Sequence, residues 1–217
     1  MDLTTFSPAS ALVTVIVLAL APFVAVMVTS FTKIIVVLSL LRSALGLQQA
    51  PPNVVLNGLA IVLSVYVMFP TVQKMADRVG PMASVANTTQ GLLGAMDRAK
   101  EPLREFLIAH SKPRERAFFL RTAQKSLEAD KAAQLTERDF IVVLPAFTVG
   151  ELESAFQIGF LIFLPFLVID LVVSNILMAM GMQMLTPTTV SLPFKLLLFV
   201  LVDGWVKLSH GLVTSYL

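Results

Sequence analysis

The chain contains no cysteine, which excludes disulfides, thiol nucleophiles and thiolate metal sites and leaves the redox compartment undetermined. Its two histidines, His110 and His210, are too few and too differently surrounded to hold a metal, and each reads as a satisfied surface or interfacial group. Charge is also scarce. Charged residues are 14% of 217, against about 25% in ordinary soluble domains. GxxxxGK[ST], GxSxG and HExxH are all missing, so phosphate cradling, serine hydrolysis and zinc proteolysis lack their signatures. No Lys or Arg precedes Lys33, and the start Met1-Asp2-Leu3 lacks the basic region and small-residue cleavage site of a signal peptide. No internal repeat and no low-complexity tract occurs.

What is present is apolar. Hydrophobic residues reach 56% and mean hydropathy +0.82, values of an integral membrane protein or of a subunit buried in a membrane-associated complex. The length leaves room for about four spanning helices and one modest water-facing region. A net charge of +2 argues neither for nucleic acid nor for polybasic lipid binding. The expected fold is all-α: hydrophobic helical hairpins with a small charged helical middle region and no cofactor.

The stretch Phe156 to Trp205 organises the chain. Phe156 to Leu177 is long enough to cross a hydrocarbon core of about 30 Å and carries one charge, Asp170. A second run, Leu192 to Val206, carries Lys195 and Asp203. A charge in such surroundings costs about 2.5–3.5 kcal/mol at a bilayer centre, so it faces protein or water rather than lipid.

Before it, Ala11 to Val28 reads as a retained helix stepped at Pro22. In FTKIIVVLSLLRSALGL, Phe31 to Leu47, Lys33 and Arg42 bracket a short apolar core and Gly46 marks a helix stop. This segment fits the second arm of a hairpin or an interfacial segment; the plain alternative is an apolar helix with snorkelling ends. Gln48 to Pro52 reads as a turn, and Asn53 to Thr71 as a helix ending near Pro70. Its small and amide residues Asn57, Gly58 and Ser64 point to a protein-buried face. Asp97 to Asp139 holds ten of the sixteen basic and eight of the fourteen acidic residues and is the water-facing part. Before it, Ala83 to Gly94 reads as a loose connection, and within it lie amphipathic helices with a solvated basic face at Arg114, Arg121 and Lys125. Thr136 with Asp139 reads as a capping box. Three regions result: 1–72, 73–139 and 140–217.

Asp170 and Asp203 lack the glycine-bracketed setting of an intramembrane aspartyl protease and have a lysine between them, so no enzyme is indicated. Antiparallel packing of the two runs about a turn from Gly181 to Leu192 brings Asp170 to Lys195, as a latch or as an ion relay. Met178, Met180, Met182 and Met184 alternate through LMAMGMQML. By themselves they read as packing; on a loop they would form a deformable ring.

PAFTVGELESAFQIGFLIFLPFLVIDLVVSNILMAMGM (Pro145 to Met182), then LPFKLLLFVLVDGW (Leu192 to Trp205), resembles the export-gate family of type III secretion, which includes flagellar FliP and injectisome SctR. FTKIIVVLSLLRSALG resembles the family's other shared block, adding Lys33, Arg42, Glu151 and Asp203 as motif charges to Asp170 and Lys195. The resemblance implies a homopentamer that admits unfolded substrate proteins at the bacterial inner membrane, with its helices in contact with lipid or raised among neighbouring subunits. It implies two smaller partners of the SctS and SctT families, a large one of the SctV family, and a periplasmic charged middle, although a charge count argues the reverse. It places a methionine gasket at Gly181, Met182, Gln183 and Met184, where this chain departs from the family in having Gln183 among the methionines. The acidic start favours the virulence injectisome over the flagellar branch. A scaffold whose pore belongs to partners, and an ion-coupled transporter, are the alternatives to a protein conduit.

Overall fold

The computed structural model describes residues 25–79, 89–182 and 184–217, with Val15, Ala19, Leu20, Pro22 and Phe23. The described residues of the Ala11 to Val28 run, Pro22 among them, are helical; Ala21 and Val24, on which the expected step at Pro22 would show, lie outside the described residues. Eight helices follow among the described residues: α1 (Phe31–Ala44), α2 (Asn53–Val79), α3 (Thr89–Ala109), α4 (Pro113–Ser126), α5 (Ala129–Gln134), α6 (Phe140–Ala179), α7 (Pro187–Leu201) and α8 (Gly204–Thr214). No strand occurs among the described residues, so the fold is all-α.

α6 is the spine. Its 40 residues would extend about 60 Å at 1.5 Å per residue. Its first half buries Val142, Val143, Ala146, Phe147, Gly150, Glu151, Ala155 and Gly159, a three-and-four spacing that makes one stripe. That stripe meets the short α1, whose Ile34, Val37, Leu38 and Leu41 are at most 1% exposed. Gly159 permits the close crossing, since a Cβ there would lie 2.2 Å from Leu40 Cδ1. Beyond Gly159 only Phe166 and Leu177 of α6 are buried, and Phe160, Leu161, Val168, Leu171 and Ile176 are exposed. α2 and α6 are each long and apolar enough to cross a membrane, and α7 with α8 adds a third span if that bent pair counts as one. Together with its composition this makes the chain a membrane protein.

Five readings change. α2 passes through Pro70 to Val79, because the proline forfeits one hydrogen bond while Met68, just before it, packs into the core with Leu107 and Phe147. On that helix Ser64 is buried and receives the Ser30 hydroxyl at 3.1 Å, but Asn57 is exposed and nothing lies within 4 Å of a Cβ on Gly58. α3 already begins at Thr89, inside the stretch read as loose; residues 80–88 lie outside the described residues. Asp139, not Thr136, occupies the cap of α6, and its carboxylate turns back to the Thr136 amide at 2.7 Å and hydroxyl at 2.9 Å. Finally, Leu192 to Val206 is not one run. It breaks at Asp203, in the left-handed region at φ 54°, and α7 and α8 bend by 60°.

Candidate functional site

The hairpin of α6 and α7 carries most of the residues singled out from sequence. α6 ends in a glycine motif: the Gly181 amide donates to Met178 O and the Met182 amide to Leu177 O, with Gly181 at φ 72°. This pattern satisfies the last carbonyls of the helix and turns the chain out of it. α1 ends in the same way at Gly46, φ 77°, through Gly46 to Ser43 O and Leu47 to Arg42 O. α7 starts at once with Thr186 as its cap and Pro187 in its first turn, so the turn is shorter than the expected Gly181 to Leu192. Proline opens this helix, since its missing N–H would have no helical partner there.

The loop between presents methionine to the outside. Met182 is 44% exposed and Met184 fully so; Gln183 lies outside the described residues. Met180, Met182 and Leu185 border an apolar groove between α6 and α7, with Val172 and Ile176 opposite Val190 and Phe194. Met178 is exposed as well, so the described members of the alternation are not core packing within this chain.

Behind the loop, Asp170 and Lys195 meet: Lys195 Nζ donates to Asp170 Oδ2 at 2.6 Å. Their side chains are 4% exposed for Lys195 and 25% for Asp170. Ser191, one turn before Lys195, donates to Asp170 Oδ1 at 2.5 Å, and Lys195 donates also to Ala44 O at the end of α1, 3.2 Å away. The cation therefore sits at the negative end of the α1 dipole while neutralising a carboxylate on α6. Three elements are tied at one point. The i, i+4 relation of Ser191 to Lys195 was legible in the sequence; the α1 carbonyl was not.

Arg42 and Asp203 lie apart from this pair. Arg42 closes the α1–α2 turn through Asn53 Oδ1 at 2.5 Å and Pro51 O at 3.4 Å. Asp203 is exposed at the α7–α8 bend.

Lys33 and Glu151 form a second pair, 118 residues apart in sequence. Lys33 Nζ lies 3.3 Å from Glu151 Oε1 with both side chains at most 5% exposed, so Lys33 does not snorkel. Tyr216 completes it, donating its hydroxyl to Glu151 Oε2 while the Lys33 ammonium stands 3.6 Å over its ring. His110 stands between two main-chain carbonyls, Nδ1 2.8 Å from Phe106 O and Nε2 3.3 Å from Tyr216 O, and the neutral ring donates to one of them at a time. Burial lowers the His110 pKa below its ordinary value, and the Lys33 charge acts in the same direction against the Phe106 hydrogen bond. No residue pattern had marked Tyr216. Among the described residues no cluster of His, Cys, Asp and Glu could hold a metal.

The stretches that form this hairpin and the Lys33–Glu151 pair are those of the sequence resemblance, and a model of the FliP family matches residues 13–212. The chain belongs to the FliP family. FliP-family relatives cover nearly all of it. It is 52% identical over 211 residues to the hypersensitivity response secretion protein HrcR of Ralstonia nicotianae, spanning 96% of this chain and 97% of that one. It is 50% identical to the Yop proteins translocation protein R of Yersinia pestis, over 92% of each chain. To the flagellar biosynthetic protein FliP of Bacillus subtilis it is 42% identical, over 92% of this chain and 88% of that one. Both FliP-family branches, virulence secretion and flagellar, thus contain relatives of this chain.

Proposed function

We propose that this chain is a core subunit of a type III secretion export gate, in which five copies surround a pore at the bacterial inner membrane that admits unfolded substrate proteins. Its place among secretion and translocation proteins supports a role in protein export. The observation that carries the pore reading is the loop at Gly181: it leaves the helix through a positive-φ glycine and exposes Met182 and Met184 at a hairpin tip stapled from behind. Unbranched thioethers pack together when the channel is empty and re-pack around a polypeptide of no fixed shape. The Asp170–Lys195 pair acts as the latch that keeps α6 and α7 in register beneath that loop, and no catalytic step is assigned. Partners are the two smaller gate proteins of the SctS and SctT families and the large SctV-type protein. Residues 73–139 form the water-facing unit on the periplasmic side, between the apolar regions 1–72 and 140–217. An impermeant thiol reagent should label Arg114→Cys in cells with a permeable outer membrane; labelling only after the inner membrane is opened reverses the topology.

The gate itself is tested by the double substitution Met182→Ala and Met184→Ala. Assembly should survive, and the closed complex should leak small ions more than the parent. An assembled variant that leaks no more makes these methionines ordinary packing.

A further inference from the structure

α8 is fastened at one end and jointed at the other. The joint is Asp203, whose left-handed backbone at φ 54° breaks α7 from α8 at 60°. Gly204 fits there because Phe199 covers it; a Cβ would lie 2.1 Å from the Phe199 ring. Within α8 only Leu212 is buried. The firm hold comes after it, at Tyr216. Tyr216 is 9% exposed and meets three other elements: Glu151 of α6 at its hydroxyl, Lys33 of α1 over its ring, and the end of α3 through Phe106, whose ring is stacked at 6.2 Å, with His110, just past α3, near its main-chain carbonyl. Across the joint, α7 bears Lys195 and opens at the methionine loop.

We propose that Tyr216 is the latch of a lever, with α8 as its arm and Asp203 as its pivot. Displacing α3 in the water-facing region withdraws Phe106 and His110 from Tyr216, α8 swings, and α7 shifts against α6. Segment-terminal residues that absorb a backbone change are the usual hinges of such motions, and beside the joint Trp205 stands edge-on to Phe199 of α7 at 5.5 Å, so a swing of α8 carries α7 with it. The consequence at the loop rests on the gate reading above; the lever itself does not.

The chain has no cysteine, so single reporters can be placed without background. Ser209→Cys on α8, Val190→Cys on α7 and Ser39→Cys on α1 are conservative changes at half-buried positions. In the assembled full-length protein, Tyr216→Leu should raise the thiol-labelling rate at 209 and 190 about tenfold as local opening becomes easier, and leave 39 unchanged. Tyr216→Phe keeps the ring beneath Lys33 and should give a smaller rise at the same two sites. A rise at 209 without one at 190 overturns the lever, because α8 then moves without transmitting. Equal rises at all three positions overturn it as general loosening. If Tyr216→Leu does not fold, Tyr216→Phe decides: unchanged rates at 209 and 190 reject the proposal. Ion leakage through Met182 and Met184 variants is a separate measurement, so the gate reading can fail while the lever stands.

Discussion

The two charge pairs of this chain do similar chemistry in unlike settings. Lys33 and Glu151 are buried at the α1–α6 crossing and roofed by Tyr216, which itself packs in a cluster with Phe106, Phe147 and Val143. Lys195 is as deeply buried, but its partner Asp170 keeps a quarter of its side-chain surface on the hairpin below the exposed methionines. The α1–α6 pair joins residues 118 positions apart in the chain; the hairpin pair holds two arms next to a loop whose described methionines are exposed. A buried crossing and an exposed hairpin tip thus use the same ionic device at different depths. Burial decides how much each pair contributes, since water can replace a lost partner only where it can reach.

The largest expected effect breaks the α1–α6 side. Glu151→Ala leaves the Lys33 ammonium buried without a counter-charge and should cost about 3–5 kcal/mol, read as a fall in thermal midpoint and in recovered assembled protein. Asp170→Ala should fall at or below the lower end of that range, about 3 kcal/mol, because its site admits water. An equal or larger loss for Asp170 would reverse the ranking of the two regions.

The glycines sharpen the same contrast. Gly159→Ala pushes a methyl into Leu40 and should destabilise by about 1–3 kcal/mol through overpacking. At Gly181 there is open space, but φ is 72°, so Gly181→Ala should cost about 1–2 kcal/mol through backbone strain alone. Thermal unfolding of both variants checks the order; a larger loss at Gly181 would mean that the tip, not the α1–α6 crossing, is tightly held.

The smallest effect is one of pH. The folded His110 pKa is depressed by burial, so the opened state binds a proton more readily. Its stabilising contribution is therefore complete above the ordinary value of 6.5 and is lost as pH falls below it towards the folded pKa. His110→Gln should flatten that acid-side loss of thermal stability. No such dependence is expected of the methionine loop, whose described residues from Met180 to Thr186 include no titratable group.

Much of this protein was legible along the chain. Apolar run length set the membrane class, glycine after an apolar helix set the stops at Gly46 and Gly181, and hairpin arithmetic put Asp170 beside Lys195. These are local properties: the relevant residues lie within one helix or across one turn, where 1.5 Å per residue fixes what can meet. The shared blocks Phe31 to Gly46, Pro145 to Met182 and Leu192 to Trp205 named the family for the same reason, as continuous strings. Tertiary structure alone decided the rest. Pro70 does not end α2 because core packing around Met68 outweighs one missing hydrogen bond. Lys33 is buried rather than snorkelling because Glu151, 118 residues away, and Tyr216 arrive at its ammonium. Such meetings depend on how helices cross, and at Gly159 the crossing is set by the absence of a single Cβ, which no spacing along the chain reveals until both helices are in place.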